Sequence, residues 1–213
     1  KCMIIPVTPY QQNCSIIKCE ASGKAAIIDP GGDIKRIMQA VKQLEASVEK
    51  LLITHGHMDH CAAALELSQI LSVPIEGPQQ DDSFWIDKLK ESCESVGFPP
   101  SESFIPDRWL DQGDNVSVGQ EELEVYHCPG HTPGHIILFH RQAKLAIVGD
   151  VLFQGSIGRT DFPRGNHKQL INSIREQLWP LGDDVTFIPG HGPTSTFGDE
   201  RLHNPFVADN RYG

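Results

Sequence analysis

Leu51-Leu52-Ile53-Thr54-His55-Gly56-His57-Met58-Asp59-His60 is the stretch on which the reading of this chain turns. It opens as a short apolar run of the kind that forms a buried strand. It closes by setting three imidazoles and a carboxylate into six residues. A bare strand-to-helix turn needs none of those side chains, whereas a pair of transition-metal ions needs all of them. Imidazole nitrogen and carboxylate oxygen are donors that divalent first-row ions accept, and four so close together are hard to explain as solvated surface.

Three further candidates share that setting. His131 lies in Cys128-Pro129-Gly130-His131-Thr132-Pro133-Gly134-His135, Asp150 in Val148-Gly149-Asp150, and His191 in Pro189-Gly190-His191-Gly192. Each is expected just beyond the C-terminal end of a strand, in a Gly- or Pro-rich loop, where a rigid scaffold holds side chains while leaving them open to substrate. Taken singly, Asp150 and His191 read equally well as turn residues. Taken with the first run, five of the ten histidines fall into one set.

The rest of the chain alternates strand-like and helix-like patterns. Strands are predicted over residues 3–7, 15–18, 25–28 and 48–53, with a Ser22-Gly23 turn between the second and third. Asp33 is expected to cap a helix carrying Ile34, Ile37, Met38, Val41 and Leu44. One helix is predicted from about His60 to Leu71, and a less regular one over 81–97. The second half repeats the layout, with strands over 115–118, 121–126, 136–140, 144–148 and 185–188 and a helix over 168–178. No low-complexity linker intervenes, so residues 1–213 are expected to form one domain. The fold class is α/β, an αββα sandwich of two mixed sheets flanked by helices.

Composition narrows the partners. Eighteen basic against twenty-eight acidic residues give −10, which argues against nucleic acid and against anionic membrane surfaces. No apolar run approaches the roughly 18–20 residues of a membrane span. The start, Lys1 to Val7, lacks the pattern of a secretory signal, and the expected location is the cytoplasm. The six cysteines, Cys2, Cys14, Cys19, Cys61, Cys93 and Cys128, form no C-x-x-C and suggest no disulfide framework. They read as reduced, mostly buried thiols, and Cys61 and Cys128 stand beside predicted ligands without being counted among them.

His55-x-His57-x-Asp59-His60 followed by His131, Asp150 and His191, in that order, resembles the metallo-β-lactamase superfamily over essentially the whole chain. The words Thr54-His55-Gly56-His57, Pro129 to His135 and Gly158-Arg159-Thr160-Asp161-Phe162 are similar to those of short bacterial glyoxalase II-like hydrolases. That resemblance implies that His55, His57 and His131 bind a first metal, that Asp59, His60 and His191 bind a second, and that Asp150 bridges them. It also implies that Asp29, in Ile28-Asp29-Pro30-Gly31-Gly32, sits beneath the metal loop and orients a ligand histidine. Chemistry agrees with two ions: seven nitrogen and oxygen donors without a thiolate suit a pair of divalent ions such as zinc, iron or manganese, and although the ligands do not single one out, zinc is the expected metal.

Two ions sharing a carboxylate can share a hydroxide, since metal binding lowers the pKa of water to about 7. Asp59 and Asp150 are the expected catalytic carboxylates, Asp59 orienting that nucleophile. A thioester leaves as a thiolate of pKa about 8.5 and demands no strong acid, which favours it over an unactivated amide. The resemblance implies S-2-hydroxyacylglutathione as substrate, such as S-lactoylglutathione, giving a 2-hydroxy acid and glutathione. It also places Arg159 where the family holds a glutathione carboxylate, with Arg164 a weaker candidate. The alternative for Arg159 is an internal ion pair with Asp161. Full-length glyoxalase II enzymes add a C-terminal helical extension, and Gly192-Pro193-Thr194 stands where they place an aromatic, so the hold on glutathione must differ.

Four rival readings remain. A mononuclear-iron persulfide dioxygenase shares the Gly-Arg-Thr-Asp-Phe word and would use His55, His131 and Asp150 as an open triad. A lactonase and a β-lactamase share the superfamily pattern, though Asp59 with a bridging Asp150 departs from the β-lactamase ligand set. A non-catalytic metal-binding scaffold would be expected to lack a ligand, and none of the seven is missing.

Overall fold

Alternation along single strands explains the architecture. Ile5, Val7, Cys14, Ile16, Ala25, Ile27, Leu51 and Ile53 pack into one core, while their neighbours Ile17, Ala26, Ile28 and Leu52 pack into another. Successive side chains of a strand point to opposite faces, so a sheet buried on both faces reads as near-continuous apolar sequence. The same split divides Ile137, Phe139, Ala146, Val148 and Phe187 from Ile136, Leu138, Ile147 and Ile188. Two sheets therefore share one inner core, and each has an outer core of its own.

The structure is a computed structural model and describes residues 1–212. Strands β1 (Cys2–Val7), β2 (Gln12–Lys18), β3 (Lys24–Ile28), β4 (Ser47–Leu52) and β5 (Ile75–Glu76) make the first sheet, in that order. Pairing is antiparallel from β1 to β3 and parallel from β3 to β5. The second sheet is built from β6 (Asn115–Val118), β7 (Glu121–His127), β8 (Ile136–His140) and β9 (Leu145–Gly149). A small hairpin of β10 (Leu152–Phe153) and β11 (Ser156–Ile157) follows, and then β12 (Thr186–Pro189) and β13 (Ser195–Thr196). Its order is β13-β12-β9-β8-β7-β6, with β12 and β9 parallel and the other pairs antiparallel.

Helices cover both outer faces. Helix α1 (Ile34–Gln43), the short α2 (Met58–Cys61), α3 (Ala64–Leu71), α4 (Ser83–Asp87) and α5 (Leu89–Ser95) lie on the first sheet, sealing it with Ile37, Val41, Leu67, Ile86 and Leu89. Helix α6 (His167–Ser173), a π-helical turn over Ile174–Leu178 and α7 (Phe197–His203) seal the second with Leu170, Ile174, Leu178 and Phe197. Each such buried aliphatic or aromatic side chain contributes about 1.5–3 kcal/mol. The expected αββα sandwich of two mixed sheets is the observed fold. Among the described residues no helix is long and apolar enough to cross a membrane.

Local expectations needed correction at four places. Asp33 precedes α1 but does not cap it: its backbone is left-handed (φ 52°), and its carboxylate accepts the Thr8 N–H at 2.8 Å. The helix predicted from His60 to Leu71 breaks between α2 and α3, where the Ala63 N–H turns to the Pro30 carbonyl at 3.1 Å. The segment over 81–97 divides into a turn of 3-10 helix (Gln80–Asp82), α4 and α5. The helix over 168–178 passes into the π-helical turn after Ser173. Hairpin β10–β11 and helix α7 had no counterpart in the sequence reading, because their apolar runs are too short to show a period. All six cysteines are free thiols, five of them buried and Cys2 half-buried, as expected.

Candidate metal centre

Strands β3, β4, β7, β9 and β12 release their C-terminal ends at one rim of the sandwich, and each carries a candidate residue into the loop that follows. These loops are stitched together by backbone. The Ile136 N–H donates to the Thr54 carbonyl at 2.9 Å, Gly190 N–H to Gly149 carbonyl at 2.7 Å, and Asn13 N–H to Gly190 carbonyl at 2.7 Å. At Gly190 even a methyl group would collide with the Asp150 carboxylate and the His60 ring, so only glycine lets the last loop close over the centre. All seven predicted ligands, distributed over 137 positions from His55 to His191, meet there.

Hydrogen bonds fix the direction of four of the five imidazoles. His55 Nδ1 lies 3.0 Å from Thr54 Oγ1, His60 Nδ1 lies 2.9 Å from Asp29 Oδ2, His131 Nδ1 lies 2.7 Å from the Arg159 carbonyl, and His191 Nδ1 lies 3.1 Å from the Tyr10 carbonyl. Carbonyl and carboxylate oxygens accept only, so His60, His131 and His191 donate from Nδ1 and turn Nε2 inward. Thr54 Oγ1 spends its own proton on Asp29 Oδ2 at 2.6 Å and so accepts from His55. His57 is turned the other way: its Nδ1 faces His131 Nε2 at 3.0 Å.

Two donor sets result. In His55, His57 and His131 the ligand atoms lie within 4.8 Å of one another, and so do those of Asp59, His60 and His191. Asp150 stands between the sets. Its Oδ1 is 3.4 Å from His60 Nε2, and its Oδ2 is 3.5 Å from His131 Nε2 and 3.7 Å from His191 Nε2. His191 Nε2 is also 3.1 Å from Asp59 Oδ2. Ligands at zinc bond lengths of 2.0–2.1 Å in tetrahedral geometry stand about 3.3 Å apart, close to these spacings. Asp29, His55 and His60 also lie together, but Asp29 is engaged elsewhere. Its Oδ1 accepts the Thr54 N–H at 2.7 Å, while its Oδ2 serves Thr54 Oγ1 and His60 Nδ1. Asp29 thus contacts His60 directly and His55 through Thr54.

Buried polar atoms left without protein partners cluster at the centre. They include His55 Nε2, His60 Nε2 and Asp150 Oδ1, all turned inward. A polar atom buried without a partner costs about 1–3 kcal/mol, and cations between these atoms remove that cost. The residues present therefore fit divalent ions. Electrostatics agrees. Burial, and then neighbouring His131, pushes the pKa of His57 down to about 3, and burial holds those of His55 and His131 down as well, which keeps them as neutral ligands. Burial opposes charge on His60 and His191 too, but Asp150 and Asp59 outweigh it and raise both. Burial would likewise raise the carboxyls of Asp59 and Asp150, and His60 above all holds both below the usual carboxylate range.

A cavity of about 630 Å³ opens over the centre, walled by Tyr10, Trp85, Phe153, Phe162 and Arg159. The Arg159 guanidinium pairs with both oxygens of Asp161 at 2.6 Å and lies 4.2 Å over the Phe162 ring. Arg159 thus lines the cavity while ion-paired with Asp161. Arg164 lies over the Phe84 ring at 4.0 Å and does not line the cavity.

Two buried residues escaped the sequence reading. His135 closes the Pro129 to His135 word, and a second histidine in so short a Gly-Pro loop is the signal that marks it. Its ring stacks on His55 at 4.5 Å, and its Nε2 accepts the Asp150 N–H at 3.1 Å. Asp82 had no signal, since it lies in an irregular helical segment far in sequence from every ligand.

The family model of the metallo-beta-lactamase superfamily matches residues 7–191. Hydroxyacylglutathione hydrolase GloC of Haemophilus influenzae is 48% identical over 205 residues, covering 96% of this chain and 96% of that protein. Among solved structures, BLEG-1 B3 metallo-beta-lactamase superposes with a TM-score of 0.89 at 32% identity, covering 97% of this chain and 99% of the other. TTHA1623 in a di-iron-bound form superposes with a TM-score of 0.88 at 28% identity, covering 96% and 100%.

Proposed function

The chain belongs to the metallo-beta-lactamase superfamily and is a metal-dependent hydrolase, and we propose that it cleaves S-2-hydroxyacylglutathione thioesters, S-lactoylglutathione foremost, to a 2-hydroxy acid and glutathione. The observation that carries the reading is the convergence of inward-turned imidazole nitrogens on two sides of the single carboxylate of Asp150. In this reading His55, His57 and His131 would hold one divalent ion and Asp59, His60 and His191 a second, with the Asp150 carboxylate lying between the two sets. Such ions, when bound, supply a water acidic enough to attack at neutral pH and a Lewis acid for the carbonyl. Zinc suits the donors. Iron is supported by the di-iron form of the neighbouring fold, and manganese accepts the same ligands.

The chain's own groups do the rest. Asp59, its carboxylate facing the cavity, orients the attacking water and can accept its proton. Trp85 and Phe162 pack edge-on against His57 at 4.6 and 5.0 Å and form an apolar wall that excludes bulk water from the scissile bond. The departing thiolate needs no proton from a side chain, because its pKa is about 8.5. Arg159 at the cavity wall takes a glutathione carboxylate in exchange for part of its pairing with Asp161.

Metal analysis of the purified protein, with S-lactoylglutathione hydrolysis followed in the same sample, tests this. Two equivalents of divalent metal with turnover are expected, and His57→Ala or Asp150→Ala should abolish turnover and deplete metal. Full activity in either variant would remove the reading. Hydrolysis of a β-lactam is the second reading, favoured by the likeness to a B3 metallo-beta-lactamase. A chromogenic cephalosporin cleaved faster than the thioester would put it first.

A further inference from the structure

Asp82 belongs to neither sheet and to no metal loop, yet its side chain is completely buried among them. Its Oδ2 accepts the Gly56 N–H at 2.7 Å and the Thr132 hydroxyl at 2.8 Å, and its Oδ1 accepts the Gly134 N–H at 2.5 Å. Gly56 separates His55 from His57, Thr132 follows His131, and Gly134 precedes His135. One carboxylate thus ties together two loops that are 74 residues apart at His57 and His131 and that carry all three histidines of one donor set.

We propose that Asp82 is a positioning residue for the hydrolytic centre: its carboxylate sets the register of the 55–57 loop against the 131–135 loop, and so the spacing of the first cation site. This rests on the metal-hydrolase reading above. Three observations carry it. First, the carboxylate has three donors and no cation among its partners, so hydrogen bonds alone offset its burial. Second, only an acceptor at both oxygens satisfies the set. An asparagine would aim N–H groups either at Gly134 N–H or at Gly56 N–H, leaving buried donors face to face. Third, the segment around Asp82 meets both loops at backbone contact. A Cβ on Gly56 would strike Trp85 and crowd the Asp82 carbonyl, and one on Gly134 would strike the Asp82 backbone. The carboxylate therefore has no room to shift, and the loops cannot slide without breaking its bonds. Besides it, the Ile136 N–H to Thr54 carbonyl bond joins the same loops at the strand ends, and Gln79 N–H to Gly134 carbonyl ties Asp82's own segment to the second loop. A misplacement of about 1 Å in such a centre costs on the order of 100-fold in rate.

The test compares wild type, Asp82→Asn, Thr132→Val and the exposed control Asp81→Asn. Zinc affinity is measured by chelator competition, cobalt(II) substitution by visible absorption, and S-lactoylglutathione hydrolysis as separate kcat and KM. Asp82→Asn should bind zinc about 10- to 100-fold more weakly, alter the cobalt spectrum, and lower kcat with KM unchanged. Thr132→Val, which removes one donor and keeps the charge, should move all three in the same direction by less, and Asp81→Asn should match wild type. Wild-type zinc affinity and cobalt spectrum in Asp82→Asn overturn the proposal. Should that variant not fold, the same result in Thr132→Val overturns it. A wild-type protein inert toward S-lactoylglutathione, with zinc affinity still lowered in Asp82→Asn, sinks the substrate reading and supports this one. A wild-type protein that binds neither zinc nor cobalt removes both.

Discussion

The backbone N–H of Asp150 donates to Nε2 of His135 at 3.1 Å, so the residue lying between the two donor sets is tied to a histidine that belongs to neither. His135 is fully buried, and burial first, then neighbouring His131, keeps its pKa well below that of a free imidazole. It is therefore neutral and able to accept. Its other face stacks on His55. Removing the acceptor leaves the Asp150 N–H buried and unpaired.

His135→Phe keeps the stack and loses the acceptor. A fall in kcat of about 10- to 100-fold is expected, the range found when groups supporting metal ligands are removed. Unchanged kcat would show that the hydrogen bond does not hold Asp150.

Asp29→Asn should act on the other side of the centre. Asp29 accepts from Thr54 N, Thr54 Oγ1 and His60 Nδ1, and an amide cannot serve all three. Loss of about 1–3 kcal/mol in stability of the metal-free protein is expected, together with weaker binding of one of two metal equivalents. Denaturant unfolding and isothermal titration with zinc measure the two effects; a variant normal in both would contradict the assignment.

Burial pushes the Asp82 carboxyl from 3.8 up to about 6, against the pull of its three donors. The folded protein thus holds this proton more tightly than the unfolded chain. The stabilisation is fully present below about pH 4, is lost as pH rises to about 6, and amounts to on the order of 3 kcal/mol. In metal-free protein, the unfolding free energy of wild type should therefore fall relative to Asp82→Asn between pH 4 and 6 and run parallel above it. Parallel curves throughout would contradict the shift.

Arg159→Ala should raise KM for S-lactoylglutathione by roughly fivefold with kcat nearly unchanged, the modest effect of an exposed ionic contact. Its guanidinium lies on the cavity wall, while its backbone carbonyl, which orients His131, survives the substitution. A fall in kcat with constant KM would instead mark the Arg159–Asp161 pair as a brace for that loop.

Most of the layered fold was legible because strands buried on both faces leave runs such as Ile27-Ile28 and Leu51-Leu52-Ile53, and these survive any local detail of packing. Breaks within helices were not legible. The interruption between α2 and α3 depends on the Pro30 carbonyl, more than thirty residues away, taking the Ala63 N–H. Asp33 shows the same limit: its type and position suit a helix cap, and a distant Thr8 N–H claimed it instead.

By itself the sequence determined the donor chemistry and the strand ends that bear it, since both are local properties of residue type and alternation. Tertiary structure alone decided which nitrogen of each histidine faces inward, that His135 steadies Asp150, and that Asp82 spans two loops. The physical reason is that a buried polar atom is defined by its partner. Those partners, Arg159 for His131 and Tyr10 for His191 among them, come together only when the sheets stack.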